Sequence, residues 1–556
     1  MKKSAVKEPA IPEPGPQERA GDEFRAAGSW RDETLLDDLR RWARLQPGKP
    51  AFICHQDGTT VTVTYAELAD LVDRIARNLV RLGARPGDVV TLQLPNCWQL
   101  VALCLACARM GAVPGPVLPI MRSRELGHML RLTESPLYIA PARVRNFSYA
   151  EMSERLAGDV PSLRHRVLIG GGPGALDFGE LLQDAPPVDL DELEAGPDGI
   201  GQIMFTSGTT GEPKGVVHSH NTLYAMNRAQ ADVLHLTRDE VTAMGSPTTH
   251  QAGYTWNFVM PLLLGATAVM VDAWEPAAML RFLEEHRVTF FMGAPTFLSD
   301  LIAAQRAEPR DLTALRAFAT GSAPIAPVLV EDAGEVLGCR VYALWGMTEN
   351  GCVTITRPED PPLRAAESDG TVVPGMRTRI VDRDTGEPVG PGESGLLQVR
   401  GASQCLGYFR RPEIYAAATT PDGWFDTGDL ARHDGHGGIR ISGRLKDVIV
   451  RGAENIPVVE VEAALLRHPA VTDVAVVAYP DDRLGERACS VLVTEDGDPF
   501  TLADLRAHLD GLGMAKQYWP ERVEIVPALP RTPSGKIQKF ALRERLRLSL
   551  ALGREG

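Results

Sequence analysis

Apolar residues recur along this chain with two different periods, and the periods predict where its helices and strands lie. Tyr65 to Leu82 (YAELADLVDRIARNLVRL) carries them at helical spacing, whereas Asp88 to Leu94 (DVVTLQL) is a short apolar run typical of a buried strand. The same succession returns where helix-like Pro276 to His286 is followed by the run Val288 to Gly293. Helices that alternate with buried strands in this way predict an α/β fold with doubly wound sheets.

The pattern changes further along, and the changes divide the chain into domains. From about 361 to 443, short strands alternate with turns dense in Gly and Pro, as in TGEPVGPGESGLLQVRG, which predicts a β-rich subdomain. We therefore expect a large N-terminal domain, 29–443, made of two doubly wound α/β subdomains and this β-rich one. A fresh run of helices and strands predicts a small α+β C-terminal domain, 448–556. Residues 1–28 are rich in Pro and charge and are predicted to be a disordered tail.

Charge and cysteine usage exclude several classes of protein. The 556 residues hold 58 basic and 72 acidic side chains, a net charge of −14, which argues against nucleic acid or an anionic membrane as the main partner. The most apolar long stretch, Phe258 to Val271, is too short to span a bilayer. Eight scattered cysteines do not form a disulfide scaffold, so we expect a reduced, cytoplasmic setting. Cys104 and Cys107 are expected to be buried in a helix and to hold no metal.

Lysine is rare, and its positions are informative. Only nine of the 58 basic residues are lysines, so a lysine in a folded region is a candidate for work that a guanidinium cannot do. Lys214 lies in MFTSGTTGEPKG (Met204 to Gly215), directly after the strand-like run Ile200 to Phe205. Backbone amides and hydroxyls of such a loop wrap an anion, and the ammonium adds a point charge. The loop predicts a phosphate site, although it is not the common P-loop.

Five segments, in this order, resemble the adenylate-forming superfamily, which contains acyl-CoA synthetases, free-standing adenylation domains and luciferases. They are TSGTTGEPKG from Thr206, GSAP at 321–324, WGMTE at 345–349, WFDTGD at 424–429 with GRLKD at 443–447, and PRTPSGK at 530–536. The resemblance covers nearly the whole chain beyond the tail. It implies ATP, Mg²⁺ and coenzyme A as cofactors, and a carboxylic acid that is activated as acyl-AMP with release of pyrophosphate.

The resemblance also assigns catalytic and metal-binding residues. Lys536 matches the catalytic lysine of the family, and Lys214 the lysine of its phosphate loop. Glu349 is a hard oxygen ligand suited to Mg²⁺, with Thr206 as a second ligand, and Thr348 donates to the α-phosphate. Positive charge and a metal at this place are what a pentacoordinate α-phosphorus demands.

Nucleotide and CoA contacts are implied for a larger set. The carboxylate of Asp429 would accept the ribose hydroxyls beside Arg444, and Trp345, where the family commonly has tyrosine, would offer its face to adenine. The full set is Thr206, Ser207, Gly208, Thr209, Thr210, Gly211, Lys214, Gly321, Ser322, Ala323, Pro324, Trp345, Gly346, Met347, Thr348, Asp429, Arg444, Lys446, Arg451 and Gly452.

By the same resemblance, Lys446 lies in a hinge, residues 444–447, about which the C-terminal domain turns between adenylation and thioester formation. The loop Arg451 to Glu462 would then line the approach of the thiol. Its sequence, RGAENIPVVEVE, is most similar to ligases for alicyclic acids such as cyclohexanecarboxylate.

The acyl pocket is expected to draw on four segments, namely 250–258, 293–297, 321–323 and 350–353. These segments contain no carboxylate, whereas an amino-acid substrate would need one for its ammonium. We therefore expect an aromatic, alicyclic or polycyclic acid without a free α-amine. The residues chosen are His250, as a gate or as a structural histidine, and Gly253, Tyr254, Asn257, Gly293, Ala294, Gly321, Gly351 and Cys352.

The leading hypothesis is an acid:CoA ligase that forms an acyl adenylate and then a thioester. An adenylating enzyme that loads a carrier protein or an amine is the nearest alternative, because the same loops serve every acceptor. Oxidation of the luciferase kind is disfavoured, and a catalytically silent nucleotide-binding regulator requires that chemistry be absent. A homodimer is left open.

Overall fold

The computed structural model describes residues 21–206, 213–451, 454–481, 484–497, 499–532 and 535–552. Its N-terminal domain holds two sheets of mainly parallel strands with helices packed on them, and its C-terminal domain is small, as the sequence predicts. Within the described residues no helix is both long and apolar enough to cross a bilayer.

The first sheet has five parallel strands with helices around it. The helix Tyr65–Arg81 shows why such helices form here: Thr64 and Glu67 make a capping box at its start, and one face, including Leu68 and Ile75, is buried. The strands, in spatial order, are Val113–Pro116, Val89–Leu92, Leu137–Pro141, His165–Ile169 and Leu176–Asp177. The accompanying helices are Tyr65–Arg81, Trp98–Arg109, Ser123–Thr133 and Tyr149–Asp159, with the 3-10 helix Phe178–Leu182 and the small hairpin Arg143–Val144 and Phe147–Ser148.

The second sheet has nine strands, of which the six central ones are parallel. In spatial order they are Thr371–Val372, Gly351–Ile355, Arg340–Met347, Ala317–Gly321, Phe290–Gly293, Val241–Met244, Thr267–Val271, Pro50–Gln56 and Thr59–Thr64. The helices are Leu35–Leu45, His220–Val233, Pro276–Glu285, Pro295–Ala307, Pro327–Asp332 followed by the π-helix Ala333–Leu337, and Arg364–Glu367. One further helical stretch runs through Gln251–Gly253, the π-helix Tyr254–Val259 and Met260–Leu264.

Two antiparallel sheets complete the N-terminal domain. The three-stranded sheet contains Ile200–Thr206, Lys214–Ser219 and Gly407–Tyr408, and the helix Pro412–Ala417 follows it in the chain. The four-stranded sheet lies in the segment predicted to be β-rich, and its strands are Met376–Val381, Gly395–Gly401, Phe425–His433 and Ile439–Arg444.

The C-terminal domain has its own sheet and its own apolar core, which includes Val461, Leu465, Leu492 and Leu505. Its strands are Glu454–Ile456, Ile449–Arg451, Gly485–Thr494, Val471–Asp481 and Arg522–Ile525. Its helices are Val458–Leu465, Leu502–Gly511 and Lys539–Leu552, with 3-10 turns at Leu445–Asp447, Glu495–Gly497 and Lys516–Tyr518.

The tail differs from the prediction. Residues 21–28 were expected to be disordered with the rest of 1–28, but Gly21–Ala26 is a helix. The reason is the nearby Trp30, which is buried and donates its indole N–H to the carbonyl of Ala402 at 2.9 Å. A Cβ on Gly21 would lie 3.1 Å from this ring, so the helix packs directly on it. Residues 1–20 lie outside the described part of the chain.

The cysteines are arranged as predicted. All eight are free and buried, and Cys104 and Cys107 lie in the helix Trp98–Arg109. Burial raises the pKa of both thiols, because a thiolate would be desolvated there.

Candidate active site

The predicted phosphate loop joins the strands Ile200–Thr206 and Lys214–Ser219, which pair antiparallel with Thr206 opposite Lys214. Its two ends are therefore held side by side at one end of a hairpin. The ammonium of Lys214 lies 5.1 Å from the ring centroid of Tyr408, on the third strand of this sheet. Ser207, Gly208, Thr209, Thr210 and Gly211, which were assigned to phosphates, lie outside the described residues.

Glu349 is a buried carboxylate of the predicted site, with 8% of its surface exposed. The hydroxyl of Tyr408 donates to its Oε1 at 2.8 Å. Burial raises the pKa of Glu349, while this hydrogen bond and the charges of Lys214 and Lys536 act in the opposite direction. The charges of two lysines, one from each domain, therefore act on the same carboxylate.

A buried histidine supports the turn that carries Thr348 and Glu349. His218 Nε2 donates to the carbonyl of Thr348 at 2.8 Å, so its Nδ1 is left to accept from the hydroxyl of Thr222 at 3.0 Å. Burial lowers the pKa of His218 to about 4, against the smaller effect of the Thr348 carbonyl, and the ring is neutral at pH 7. The backbone N–H of Cys405 donates to the carbonyl of Glu349 at 2.6 Å.

The turn ends at a position that requires glycine. Gly351 has φ +64°, and a Cβ there would lie 2.6 Å from Cβ of Met226. This closeness also means that Gly351, which was predicted to line the acyl pocket, faces the helix His220–Val233. Cys352, the next residue, packs in the same apolar cluster as Met292 and Trp256.

Asp429 is held by two donors on different elements. Its Oδ2 accepts the indole N–H of Trp345 at 2.9 Å, and its Oδ1 lies 3.0 Å from Nε of Arg444. Both Asp429 and Trp345 are buried. Gly321, the last residue of its strand, pairs with Leu344, so Ser322, Ala323 and Pro324 emerge beside Trp345. Gly346 and Met347 continue the strand toward Thr348.

Lys536 lies on a tight turn in which the N–H of Thr532 donates to the carbonyl of Lys536 at 2.8 Å. The turn lies against the N-terminal domain: a Cβ on Gly535 would lie 2.9 Å from Cβ of Ala294 and 3.1 Å from Oγ1 of Thr296. The charge of Lys536 acts on both Glu349 and His250. The structure therefore brings Lys536, Glu349, His250 and Ala294 together.

His250 caps the helix that begins at Gln251, because its Nδ1 accepts the N–H of Ala252 at 3.3 Å. Burial first, and Lys536 second, lower the pKa of His250 to about 3. Ala252 packs against the apolar cluster that contains Trp256, whose ring stacks on Phe290 at 4.8 Å. Gly293, also predicted here, ends the strand of Phe290 and lies against Phe297.

Three residues that were predicted to contact the acid lie against other parts of the protein. Gly253 packs against the carbonyl of Pro247, and Asn257 is fully buried and donates to the carbonyl of Ser246 at 3.2 Å. Tyr254 lines a separate crevice with Cys104 and packs on Phe258. The loop before the helix packs against Gly253 and Asn257, and the helix Trp98–Arg109 lines the crevice of Tyr254, so the assignment of these three residues to the acid stays a prediction. Ala252 and Trp256, in the same segment, pack in the apolar cluster that contains Met292 and Cys352.

Of the residues predicted to contact CoA, Arg451 binds other residues of its own domain, and Gly452 lies outside the described part of the chain. The guanidinium of Arg451 donates to the carbonyl of Trp519 at 3.2 Å and pairs with Glu521, all within the C-terminal domain. Gly452 and the side chain of Lys446 are outside the described residues. Lys446 falls in the 3-10 turn Leu445–Asp447, between the last strand of the β-rich subdomain and the first of the C-terminal domain.

The residues present fit a magnesium ion that is shared with phosphates. Among the described residues there is no group of three or more His, Cys, Asp or Glu that could hold a metal. Mg²⁺ in nucleotide sites is bound by one or two carboxylates and by substrate phosphates, so one buried carboxylate is enough. Tyr408 donates to Oε1 of Glu349, and Oε2 would be the oxygen that binds the metal. Thr206 Oγ1 lies 3.5 Å from the carbonyl of Lys214.

Sequence reasoning missed two residues of this site. Tyr408, in LGYF, and His218, in VVHSH, hold Glu349 and Thr348 respectively. The apolar residues beside His218 signalled that this histidine is buried, but its distant partner could not be read from the pattern. Nothing in the sequence near Tyr408 marks it.

Comparisons with known proteins agree with this geometry. A family model described as AMP-binding enzyme matches residues 39–409, and one described as AMP-binding enzyme C-terminal domain matches residues 460–536. The chain is 35% identical to a medium-chain fatty-acid–CoA ligase of Escherichia coli, over 94% of this chain and 92% of the relative. It is also 35% identical to a salicyl-AMP ligase / salicyl-S-ArCP synthetase of Mycobacterium tuberculosis, over 96% and 94%.

A solved structure shows the same fold. The crystal structure of the anthranilate CoA ligase AuaEII in complex with anthranoyl-AMP superposes with a TM-score of 0.84 at 26% identity, covering 94% of this chain and 99% of that one. Family models, relatives and fold lead to the same conclusion: the chain belongs to the AMP-binding enzyme family, the adenylate-forming ligases.

Proposed function

We propose that this protein is an ATP-dependent acid:CoA ligase. It joins a carboxylic acid to AMP with release of pyrophosphate and then transfers the acyl group to the thiol of CoA. The observation that supports the proposal is that Tyr408, which donates to the buried carboxylate of Glu349, also lies under the ammonium of Lys214, and that the charges of Lys214 and Lys536 both act on this carboxylate. Two cations and a metal ligand at one point are suited to bring a carboxylate and a triphosphate together.

In the first step an oxygen of the acid attacks the α-phosphorus, and the bond between this phosphorus and the oxygen bridging to the β-phosphate breaks. Lys536 would hold the acid and the α-phosphate, and Lys214 would hold the outer phosphates. Glu349 would bind Mg²⁺, which neutralises the charge that develops on the phosphate oxygens. Asp429 would accept the ribose hydroxyls.

In the second step the sulfur of CoA attacks the acyl carbonyl carbon, and AMP leaves with the bonding electrons of the mixed anhydride. The turn of Lys536 lies against Ala294 and Thr296, beside the residues that we propose for the acid. Rotation about residues 444–447 would remove it and open the approach. CoA is the proposed acceptor because a fatty-acid–CoA ligase and the anthranilate CoA ligase match nearly the whole chain. A salicyl-S-ArCP synthetase matches it to the same extent, so a carrier protein is the second acceptor to test.

The acid we propose is aromatic or alicyclic and has no free α-amine. The cluster around Ala252, Trp256, Met292 and Cys352 is apolar, and the four segments assigned to the acid contain no carboxylate to pair an ammonium. The flat ring of Trp256, stacked on Phe290, suits a ring-shaped substrate.

A panel of carboxylic acids tests the proposal. Each acid is supplied with ATP, Mg²⁺ and CoA, and pyrophosphate release and thioester mass are both measured. We expect both signals together for a subset of aromatic or alicyclic acids. Pyrophosphate release without a CoA thioester, combined with loading of a phosphopantetheinylated carrier protein or transfer to an amine, would show that the acceptor is the carrier protein or the amine and not CoA. Nucleotide binding with no pyrophosphate release for any acid would support a silent regulator instead.

A further inference from the structure

Trp345 contributes more to the nucleotide site than an aromatic surface. Its ring is 8% exposed and packs in the apolar cluster that includes Phe425 and Cys352. Its only polar atom, the indole N–H, donates to Oδ2 of Asp429 at 2.9 Å. A phenylalanine ring would fill much of the same space but carries no donor, and the donor of a tyrosine is at the far end of its ring and not at the position of the indole N–H.

The local backbone directs the indole toward Asp429. The pairing of the strands Arg340–Met347 and Gly351–Ile355 shifts register between Trp345 and Gly346. Such bulges re-aim the side chain beside them. The hydrogen bond therefore joins the nine-stranded sheet, which carries Trp345, to the four-stranded sheet, which carries Asp429.

The two donors to Asp429 differ in rigidity. Arg444 is the last residue before the 3-10 turn that leads to the C-terminal domain, and its side chain is 45% exposed. Trp345 belongs to the core of the N-terminal domain. A movement about residues 444–447 can therefore alter the contact of Arg444 while the contact of Trp345 stays in place.

We propose that Trp345 is a positioning residue that aligns the carboxylate of Asp429 with the ribose hydroxyls of ATP through its indole N–H. The proposal rests on the proposed role of Asp429 as the ribose acceptor. A carboxylate held at Oδ2 by a rigid donor cannot rotate about its Cβ–Cγ bond without losing that bond, so its remaining lone pairs keep one direction.

The test is equilibrium binding of ATP, 2′-deoxyATP and 3′-deoxyATP in Mg²⁺ buffer without any acid, so that it does not depend on the acid or the acceptor. Trp345→Phe is compared with Trp274→Phe, because Trp274 makes a matching indole bond of 2.9 Å to Asp300 away from the predicted nucleotide site. We expect Trp345→Phe to weaken ATP about tenfold, as for a hydrogen bond to a charged group. The affinity for the deoxy analogue that lacks the hydroxyl held by Asp429 should change little. The preference for ATP over this analogue should therefore disappear in Trp345→Phe. Trp274→Phe should keep the preference for ATP over the analogue.

Further variants separate loss of the indole N–H from loss of ring packing. Replacing Trp345 with 3-benzothienylalanine removes the N–H and keeps the ring, and should reproduce the loss even if Trp345→Phe folds poorly. Asp429→Asn should also abolish the preference, and adding Trp345→Phe to it should have little further effect. Equal weakening of all three nucleotides, or an unchanged preference in the benzothienyl variant, would overturn the proposal. An unchanged preference in Asp429→Asn would instead show that Asp429 does not bind the ribose hydroxyls.

Discussion

Lys536 is the side chain on which the proposed adenylation depends most directly. Replacing it with alanine removes one of the two cations whose charges act on Glu349. We expect Lys536→Ala to lower acid-dependent pyrophosphate exchange by at least about a hundredfold, the usual effect of removing one charge-stabilising donor. ATP binding should persist, because other groups are assigned to the ribose and the outer phosphates.

Lys516→Ala is the matched control for this variant. Lys516 belongs to the same domain, and its ammonium lies over the ring of Trp519 at 5.6 Å. Its removal should leave exchange unchanged. Full exchange activity in Lys536→Ala would contradict the assignment of Lys536.

His218 makes stability depend on pH in a defined direction. Its folded pKa of about 4 lies below the ordinary value of 6.5, so between these values only the unfolded chain takes up the proton. The stabilisation is therefore complete above about pH 6.5 and is lost as the pH falls toward 4. From pH 7.5 to 5.0 we expect this residue to account for a loss of about 2 kcal/mol in urea unfolding.

The variant His218→Gln can still donate to the carbonyl of Thr348 but does not titrate. It should reduce the acid-induced loss, whereas the exposed His235→Gln should not. An identical pH dependence in His218→Gln and the parent would show that the histidine is not buried neutral.

The rarity of lysine marked candidate positions before any partner was known. The charges of Lys214 and Lys536 both act on Glu349. Lys49 shows the limit of this argument, since its ammonium donates to the carbonyl of Gly265 at 2.7 Å at the end of a helix. Composition shows that a lysine is unusual, but only the fold shows whether it meets an anion or a backbone carbonyl.

At the scale of elements, the turn from Thr348 to Gly351 requires a backbone that only glycine adopts easily. Gly351→Ala places a Cβ at φ +64° and 2.6 Å from Met226. We expect a loss of about 1–3 kcal/mol in thermal unfolding, with lower pyrophosphate exchange because Glu349 moves. Gly334→Ala is the control, since a Cβ there meets nothing within 4 Å. Equal stability of the two variants would contradict the strain at Gly351.

Helices and strands were predictable where one period continues over many residues, as in Tyr65–Arg81. Their ends were less predictable: the valine-rich run Val471 to Val477 is only part of a strand that continues to Asp481, because Gly485–Thr494 pairs with it as far as that residue. The helical stretch that begins at Gln251 shows a second limit of prediction from the sequence. Its period does not reveal that the loop at Pro247 takes up the face of Gly253 and Asn257, because that contact depends on how the chain returns.

For the whole molecule, the contact between the domains at Gly535 should control the first step but not the second. Gly535→Val would place a side chain against Ala294 and Thr296, and would move Lys536 away from Glu349. We expect pyrophosphate exchange to fall at least about tenfold, while thioester formation from a supplied acyl adenylate is retained.

Gly513→Val carries the same kind of backbone strain in the same domain, with φ +71° and no neighbour within 4 Å. It should leave both steps nearly unchanged. If Gly535→Val lowered both steps equally, the contact would have a structural role only.

The burial of all eight cysteines decides how this protein can be assayed. A thiol that is enclosed and kept protonated does not react with disulfide reagents. In a mixture of enzyme and CoA, the cofactor would then carry the only reactive sulfur, so its consumption can be followed continuously as a loss of colour with a thiol reagent. For the same reason, one cysteine introduced at an exposed position of each domain would accept a dye selectively, and energy transfer between the dyes would report the proposed rotation in real time.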